Sequence, residues 1–333
     1  MYPVVDHEID PAGDMILTLT NPSAPFAEWH DDNTTHAPPK NPSSHEPPTE
    51  PEPEPVIDEE AEVDEEAEVP AITYRISSRQ LSLASGRSKK MRHQWGHHKG
   101  PDGYSHISVE DWDSDALLTI LNIIHLRNKQ VSRSVSLEML SQLAVIVDYF
   151  EFHEAVEMFS KVWMESLQRT IPKSYGRDLI LWIWVCHVFN MEKALQTVLS
   201  TAVQTCQGPI QDLGLPIPEH ITNQLANKRT IATGQIVDGL RRLREGLQND
   251  TQGCNYNCRC RILGALIKGM DRFHVFDPTH QPLLGHSLAD TIQHIRNITV
   301  PYDYYDYRGC RCTVSSLTES FLRQVESDIM ELK

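Results

Sequence analysis

The run Leu179-Ile180-Leu181-Trp182-Ile183-Trp184-Val185 leaves no polar face on any helix drawn through it. A helix that is apolar all round must be enclosed by other elements rather than laid on a surface. The apolar stretch extends only to Phe189, eleven residues interrupted by His187, far short of the roughly 20 needed to cross a bilayer. The chain must therefore wrap other helices around residues 179–189, and candidates lie on both sides. Ser114 is a candidate N-cap before Leu117, Ile120, Leu121 and Ile124, whose three- and four-residue spacing makes one apolar stripe. Ser136 stands likewise before Leu137, Leu140, Ala144 and Val147. A turn near Tyr149–Phe152 leads to Ala155, Val156, Phe159, Val162, Trp163 and Leu167, and the two segments read as an antiparallel helix pair. Ile171-Pro172 breaks the pattern. Beyond the central run, Gly208-Pro209 and Gly214-Leu215-Pro216-Ile217-Pro218 form a connection. A long helix is then expected over Glu219–Leu247, with Ile236, Leu240, Leu243 and Leu247 inward and Arg241, Arg242 and Arg244 outward. Cys254–Cys260, Leu263–Met270, Ser287–Ile298 and Ser316–Glu331 continue the helical pattern.

The first hundred residues follow another rule. After the turn signal Pro11-Ala12-Gly13-Asp14, Met15, Leu17 and Leu19 alternate with Ile16, Thr18 and Thr20, and Asn21-Pro22 ends the strand. Ile72, Tyr74 and Ile76 alternate in the same way, Gln80–Ala84 reads as a short helix, and Ile107 and Val109 mark a further short strand. Between the first two strands the composition changes. Nine of the 21 prolines lie between Pro38 and Pro70, and 12 acids with no Lys or Arg lie between Glu46 and Glu68. Such a segment cannot bury enough apolar surface to offset its ordering entropy, so residues 31–70 are expected to be a disordered acidic Pro/Glu-rich insertion. An acidic docking tail is the other reading of the same residues. The insertion carries most of the net charge of −16, leaving only about four negative charges elsewhere.

At 333 residues and 40% apolar content, the chain can bury the core of two domains. Met1–Pro11 has neither a basic nor an apolar signal-peptide region, and seven cysteines are too sparse for a disulfide scaffold. An intracellular protein, cytoplasmic or nuclear and without membrane attachment, is expected. The sequon Asn297-Ile298-Thr299 then has no consequence. There is no His-Glu-x-x-His, no glycine-rich phosphate loop and no Gly-x-Ser-x-Gly elbow, so no enzymatic activity is expected.

The cysteines carry the sharpest chemical pattern. Cys254-x3-Cys258-x-Cys260 is followed by Cys310-x-Cys312. Closely spaced thiolates supply two ligands per segment, and zinc requires four in a tetrahedron. Cys254, Cys258, Cys310 and Cys312 are therefore the candidate ligands of a structural zinc, with Cys260 as spare or as substitute for Cys258. The competing reading is a set of thiols in a reducing compartment. No cofactor is otherwise required. Arg87–Gly100 holds five basic residues, three histidines, Trp95 and no acid. It is either a solvated basic face or a nucleic-acid contact, and without a broad basic field nucleic acid is the lesser expectation. His97-His98 is an adjacent pair of the kind 16 histidines produce by chance.

Four stretches carry a family likeness. They are Gly13-Asp14-Met15-Ile16-Leu17-Thr18-Leu19, then Tyr74-Arg75-Ile76-Ser77 with Arg79-Gln80-Leu81-Ser82-Leu83-Ala84-Ser85. Trp112-Asp113-Ser114 running through Leu117-Leu118-Thr119-Ile120-Leu121 to His125 follows, and Leu143-Ala144-Val145-Ile146-Val147-Asp148-Tyr149 closes the set. Together they resemble BTB/POZ domain proteins, in particular the divergent group common in filamentous fungi. The likeness extends into Asp178–Trp182, Leu213–Pro218, Cys254 with Cys258, and Leu263–Leu266. It implies an α+β fold in which helical hairpins cover a small sheet over residues 11–170, followed by a mainly α-helical extension over 171–333. It also implies a protein-interaction module, self-associating as a homodimer or holding a partner such as a cullin-type ubiquitin-ligase scaffold. The other reading of function is a metal-stabilised regulatory protein contacting nucleic acid through residues 87–99.

Overall fold

A computed structural model describes residues 5–22, 24–29, 70–85, 99–277, 279–301 and 311–331. The described residues form a mixed α/β molecule, mostly helical, with one small sheet. The acidic insertion and most of the basic stretch lie outside them.

Four strands make the sheet: β1 (His7–Glu8), β2 (Met15–Thr20), β3 (Ile72–Ile76) and β4 (Ser105–Glu110), in the order β1-β3-β2-β4. β2 runs antiparallel to β3, with Leu17 opposite Tyr74, and parallel to β4, with Leu17 opposite Ile107. In β4, Ser105, Ile107 and Val109 face the core while His106, Ser108 and Glu110 face out, the alternation a one-sided sheet requires. β2 and β3 pair in register from Met15–Ile76 to Leu19–Ile72 although the acidic insertion separates them in sequence. The length of the connection does not prevent this, because each doubling of a loop costs only about 0.6 kcal/mol. Deleting residues 33–68 should accordingly leave the thermal midpoint within a few degrees of the full chain. A larger drop in calorimetry would show that the segment packs.

The short helix α1 (Ser78–Ala84) follows β3, capped by Ser77, and buries Leu81. Next come α2 (Ser114–Ile124), α3 (Leu137–Phe150) and α4 (His153–Leu167). Ser136 caps α3 as expected, accepting the Met139 N–H at 3.1 Å. Ser114 does not cap α2. Asp113 does, accepting from the Ala116 N–H at 2.8 Å, and Ser114 is the first helical residue. α3 ends at Glu151 in the left-handed region, and the Phe152 N–H returns to the Val147 carbonyl. On α4, Val156 and Trp163 are fully buried, but Val162 is 45% exposed and Phe159 is only half-buried.

The remaining helices are α5 (Arg177–Val188), α6 (Glu192–Thr205), α7 (Glu219–Gln248), α8 (Tyr256–Met270), α9 (Leu288–Arg296) and α10 (Val314–Met330). α5 is the apolar run, with every residue from Leu179 to Cys186 buried. It packs on α3 on one side and α6 on the other. One contiguous core therefore runs from the sheet through α3 and α5 into the C-terminal helices. Arg177, at the start of α5, donates to the carbonyls of Ala27 and Phe26 and to Glu138 of α3, fastening the chain beyond β2 to the helical half. α7 packs closely against α10, where a Cβ at Gly239 would stand 2.7 Å from the Phe321 ring. Arg296 pairs with Glu319 and Glu326, joining α9 to α10. Among the described residues, no helix is long and apolar enough to cross a membrane.

His125 locks β3 to α2. Its Nε2 accepts from the Ser77 N–H at 3.0 Å, and its Nδ1 lies 2.8 Å from the Leu121 carbonyl. Only the neutral imidazole can do both, and burial holds its pKa below the ordinary 6.5. The folded form then binds fewer protons than the unfolded chain between the two pKa values. This contribution is complete above pH 6.5 and is lost as the pH falls through that window. Urea midpoints should decline from pH 7 to pH 5, and His125→Gln should flatten part of that decline.

Candidate metal centre

The two cysteine segments meet at the starts of two helices. Cys254 follows Gly253, whose φ of 85° is a left-handed turn, and precedes Asn255, the N-cap of α8. The Asn255 Oδ1 accepts from the Cys258 N–H at 2.8 Å, fixing Cys258 in the first turn. Cys312 sits one residue before Thr313, the N-cap of α10, which exchanges hydrogen bonds with Ser316 in a capping box. The sulfurs of Cys254, Cys258 and Cys312 lie within 4.8 Å of one another, with Cys254 exposed, Cys312 half-buried and Cys258 buried.

Three of the residues named from the sequence are thus brought together. Cys310, the fourth, lies outside the described residues, as does Tyr302–Cys310 as a whole. Cys260 is not in the cluster. Two positions along a helix from Cys258, it faces the opposite side, is exposed, and hydrogen-bonds the Tyr256 hydroxyl, raising that group's pKa. The remaining described cysteines are elsewhere: Cys186 is enclosed in α5, where burial pushes its thiol up to about 12, and Cys206 is buried at the end of α6.

Some positioning residues have no cysteine-like mark in the sequence. The Arg261 guanidinium on α8 grips the Pro301 carbonyl, with its Nε 2.8 Å away. The chain leading into residues 302–310 is therefore held beside the same helix that carries Cys258. Arg259 pairs with Asp250 at 2.6 Å, tying the turn before Cys254 to α8. Asparagine before a helical stretch was the one readable sign, because Asn is a favoured N-cap.

The donor set suits a soft or borderline divalent ion. Thiolates bound tetrahedrally at about 2.3 Å stand roughly 3.8 Å apart, so the three sulfurs need close by no more than about 1 Å. Of the other sequence candidates, Lys99 is described, while Arg87–His98, including His97 and His98, lies outside the described residues. Compared with known proteins, the chain matches no family model, no curated protein and no solved structure.

Proposed function

We propose that the chain is a non-enzymatic protein-interaction module of BTB/POZ-like architecture, which binds a second copy of itself or a partner such as a cullin-type ligase scaffold. One observation carries this reading. The residues of the family-like stretches are spent on packing: Leu17, Leu19, Tyr74, Leu81, Leu117, Ile120, Leu121, Leu143 and Val147 are all enclosed. From β2 onward the element order is strand, strand, short helix, strand, helix, then a helix pair, which supports the reading. A chain whose distinctive residues build a scaffold works through its surface. That surface offers apolar side chains, among them Leu83 on α1, 72% exposed, and Met158 with Val162 one turn apart on α4.

In the same reading a structural zinc joins Cys254, Cys258, Cys312 and Cys310, clamping the starts of α8 and α10. The three sulfurs already gathered support it. When bound, the ion supplies only cross-linking energy, and the residues around it orient the ligands.

The test sets protein partners against nucleic acid. Immobilised full-length chain should bind itself or a purified cullin-type scaffold, with weak dependence on salt. Duplex DNA and single-stranded RNA should not bind at physiological salt. Nucleic-acid affinity falling steeply with salt, with no protein bound, would overturn the proposal in favour of contact through residues 87–99.

A further inference from the structure

The loop after α8 carries a second ligand set. A single 3-10 turn, Asp271–Phe273, ends with His274 in the left-handed region at φ 52°. The chain then projects outward and returns, and the Leu283 N–H closes its base on the Phe273 carbonyl at 3.0 Å. Phe273, Val275 and Leu283 are buried, so the loop is anchored at both ends while His274 and His280 stay exposed.

Within it, both imidazoles present Nδ1 to one carboxylate oxygen. Asp277 Oδ2 is 2.7 Å from His280 Nδ1 and 4.0 Å from His274 Nδ1. The other oxygen, Oδ1, is occupied by the Thr279 N–H at 2.8 Å and the Thr279 hydroxyl at 2.6 Å, which aims Oδ2 at the histidines. The Thr279 hydroxyl also lies 2.8 Å from His280 Nδ1. The two rings stack at 4.5 Å between centroids.

We infer that His274, Asp277 and His280 form a solvent-open site for a divalent transition ion, independent of the cysteine cluster. Two imidazoles and one carboxylate select zinc, nickel or copper over magnesium and calcium, which prefer oxygen donors alone. The three donor atoms lie within 4.8 Å of one another. Bonds of about 2.0–2.1 Å bring such atoms to roughly 3.3 Å apart, and the exposed rings must turn out of their stack so that both lone pairs point at one ion. With three protein donors on an exposed loop, the remaining coordination positions stay open to water or to a carboxylate or imidazole from another molecule. Ligation through Nδ1 requires each imidazole to carry its proton on Nε2. Thr279 is a positioning residue, acting through Asp277.

The experiment titrates purified full-length chain, freed of metal under reducing conditions, with zinc chloride by calorimetry. A His274→Ala/His280→Ala variant should bind one zinc fewer per chain than the parent, with an unchanged circular-dichroism spectrum and thermal midpoint. Thr279→Val should keep the stoichiometry and weaken that event about tenfold. A Cys254→Ser variant should retain it. Identical titrations for the parent and the double-histidine variant, or loss of every zinc with Cys254→Ser, would overturn the assignment.

Discussion

Leu143→Asp should abolish cooperative unfolding of the whole chain, not of its first half alone. Leu143 has no exposed surface, and its helix α3 packs on α2 and on the apolar helix α5. Truncating such a residue costs about 2–5 kcal/mol. Placing a carboxylate there adds several more, because the charge has neither water nor a partner. The sum reaches the roughly 5–15 kcal/mol that hold a typical domain together. Because one core continues through α3 and α5, loss of α3 removes the support of both halves. Circular dichroism on heating should show no sigmoidal transition. Phe159→Asp, on the same helix pair, should cost clearly less, because Phe159 is only half-buried and the carboxylate can reach water. A Leu143→Asp protein with a normal transition, or one that keeps a separate transition for residues 177–331, would contradict the continuous core.

The second large effect follows removal of metal from the cysteine cluster. Purified chain should carry about one thiolate-bound zinc, and a chelator should expose backbone amides around Cys254–Cys258 and Cys312 to hydrogen exchange. Structural zinc contributes about 10–16 kcal/mol of apparent binding energy in isolated finger peptides. Less is at stake here, because α10 also packs on α7 and buries Val314, Leu322 and Val325, and Arg261 independently holds Pro301. Protection in the sheet and in α2–α4 should remain. Cys258→Ser should reproduce the chelator pattern, and Cys260→Ser should change nothing, since Cys260 points away. Metal analysis without a zinc that Cys258→Ser removes would refute the clamp.

Much of this architecture was legible in local patterns, and the exceptions have physical causes. Alternation located β2, β3 and β4, and an apolar run with no polar face located α5. The parallel pairing of β2 with β4 was not readable, because register between distant strands is set by packing rather than by either strand's own residues. Neither was β1, only two residues long. Helix α6 is hard to read from the sequence although Leu195, Val198, Leu199, Ala202 and Val203 have helical spacing, because much of the helix is polar and little marks its boundary beyond Asn190 in the left-handed region. Residues 256–270 form one helix where two pieces were expected, since Gly264 sits in open space and does not interrupt it. The apolar stripe of α7 places Arg244 outward, yet its guanidinium lies 5.0 Å over the Phe276 ring, the behaviour of a long side chain that covers apolar surface with its stem. In the cysteine cluster, thiol spacing picks out three residues whose sulfurs the fold gathers, while helix geometry, invisible in a spacing count, turns Cys260 away from them. The His274–Asp277–His280 set has no signature in the sequence, because a loop has no period. Its ligands converge only through the Asp277–Thr279 turn.

The most direct test of the interaction reading is the mass of the full chain in solution, measured by sedimentation equilibrium alone and after mixing with a purified cullin-type scaffold. The account predicts a species heavier than the 37.9 kDa of one chain in the first sample, or one equal to chain plus scaffold in the second, formed reversibly and rising with concentration. A mass of one chain alone, and a mixture holding only free chain and free scaffold, across the full concentration range, would contradict it.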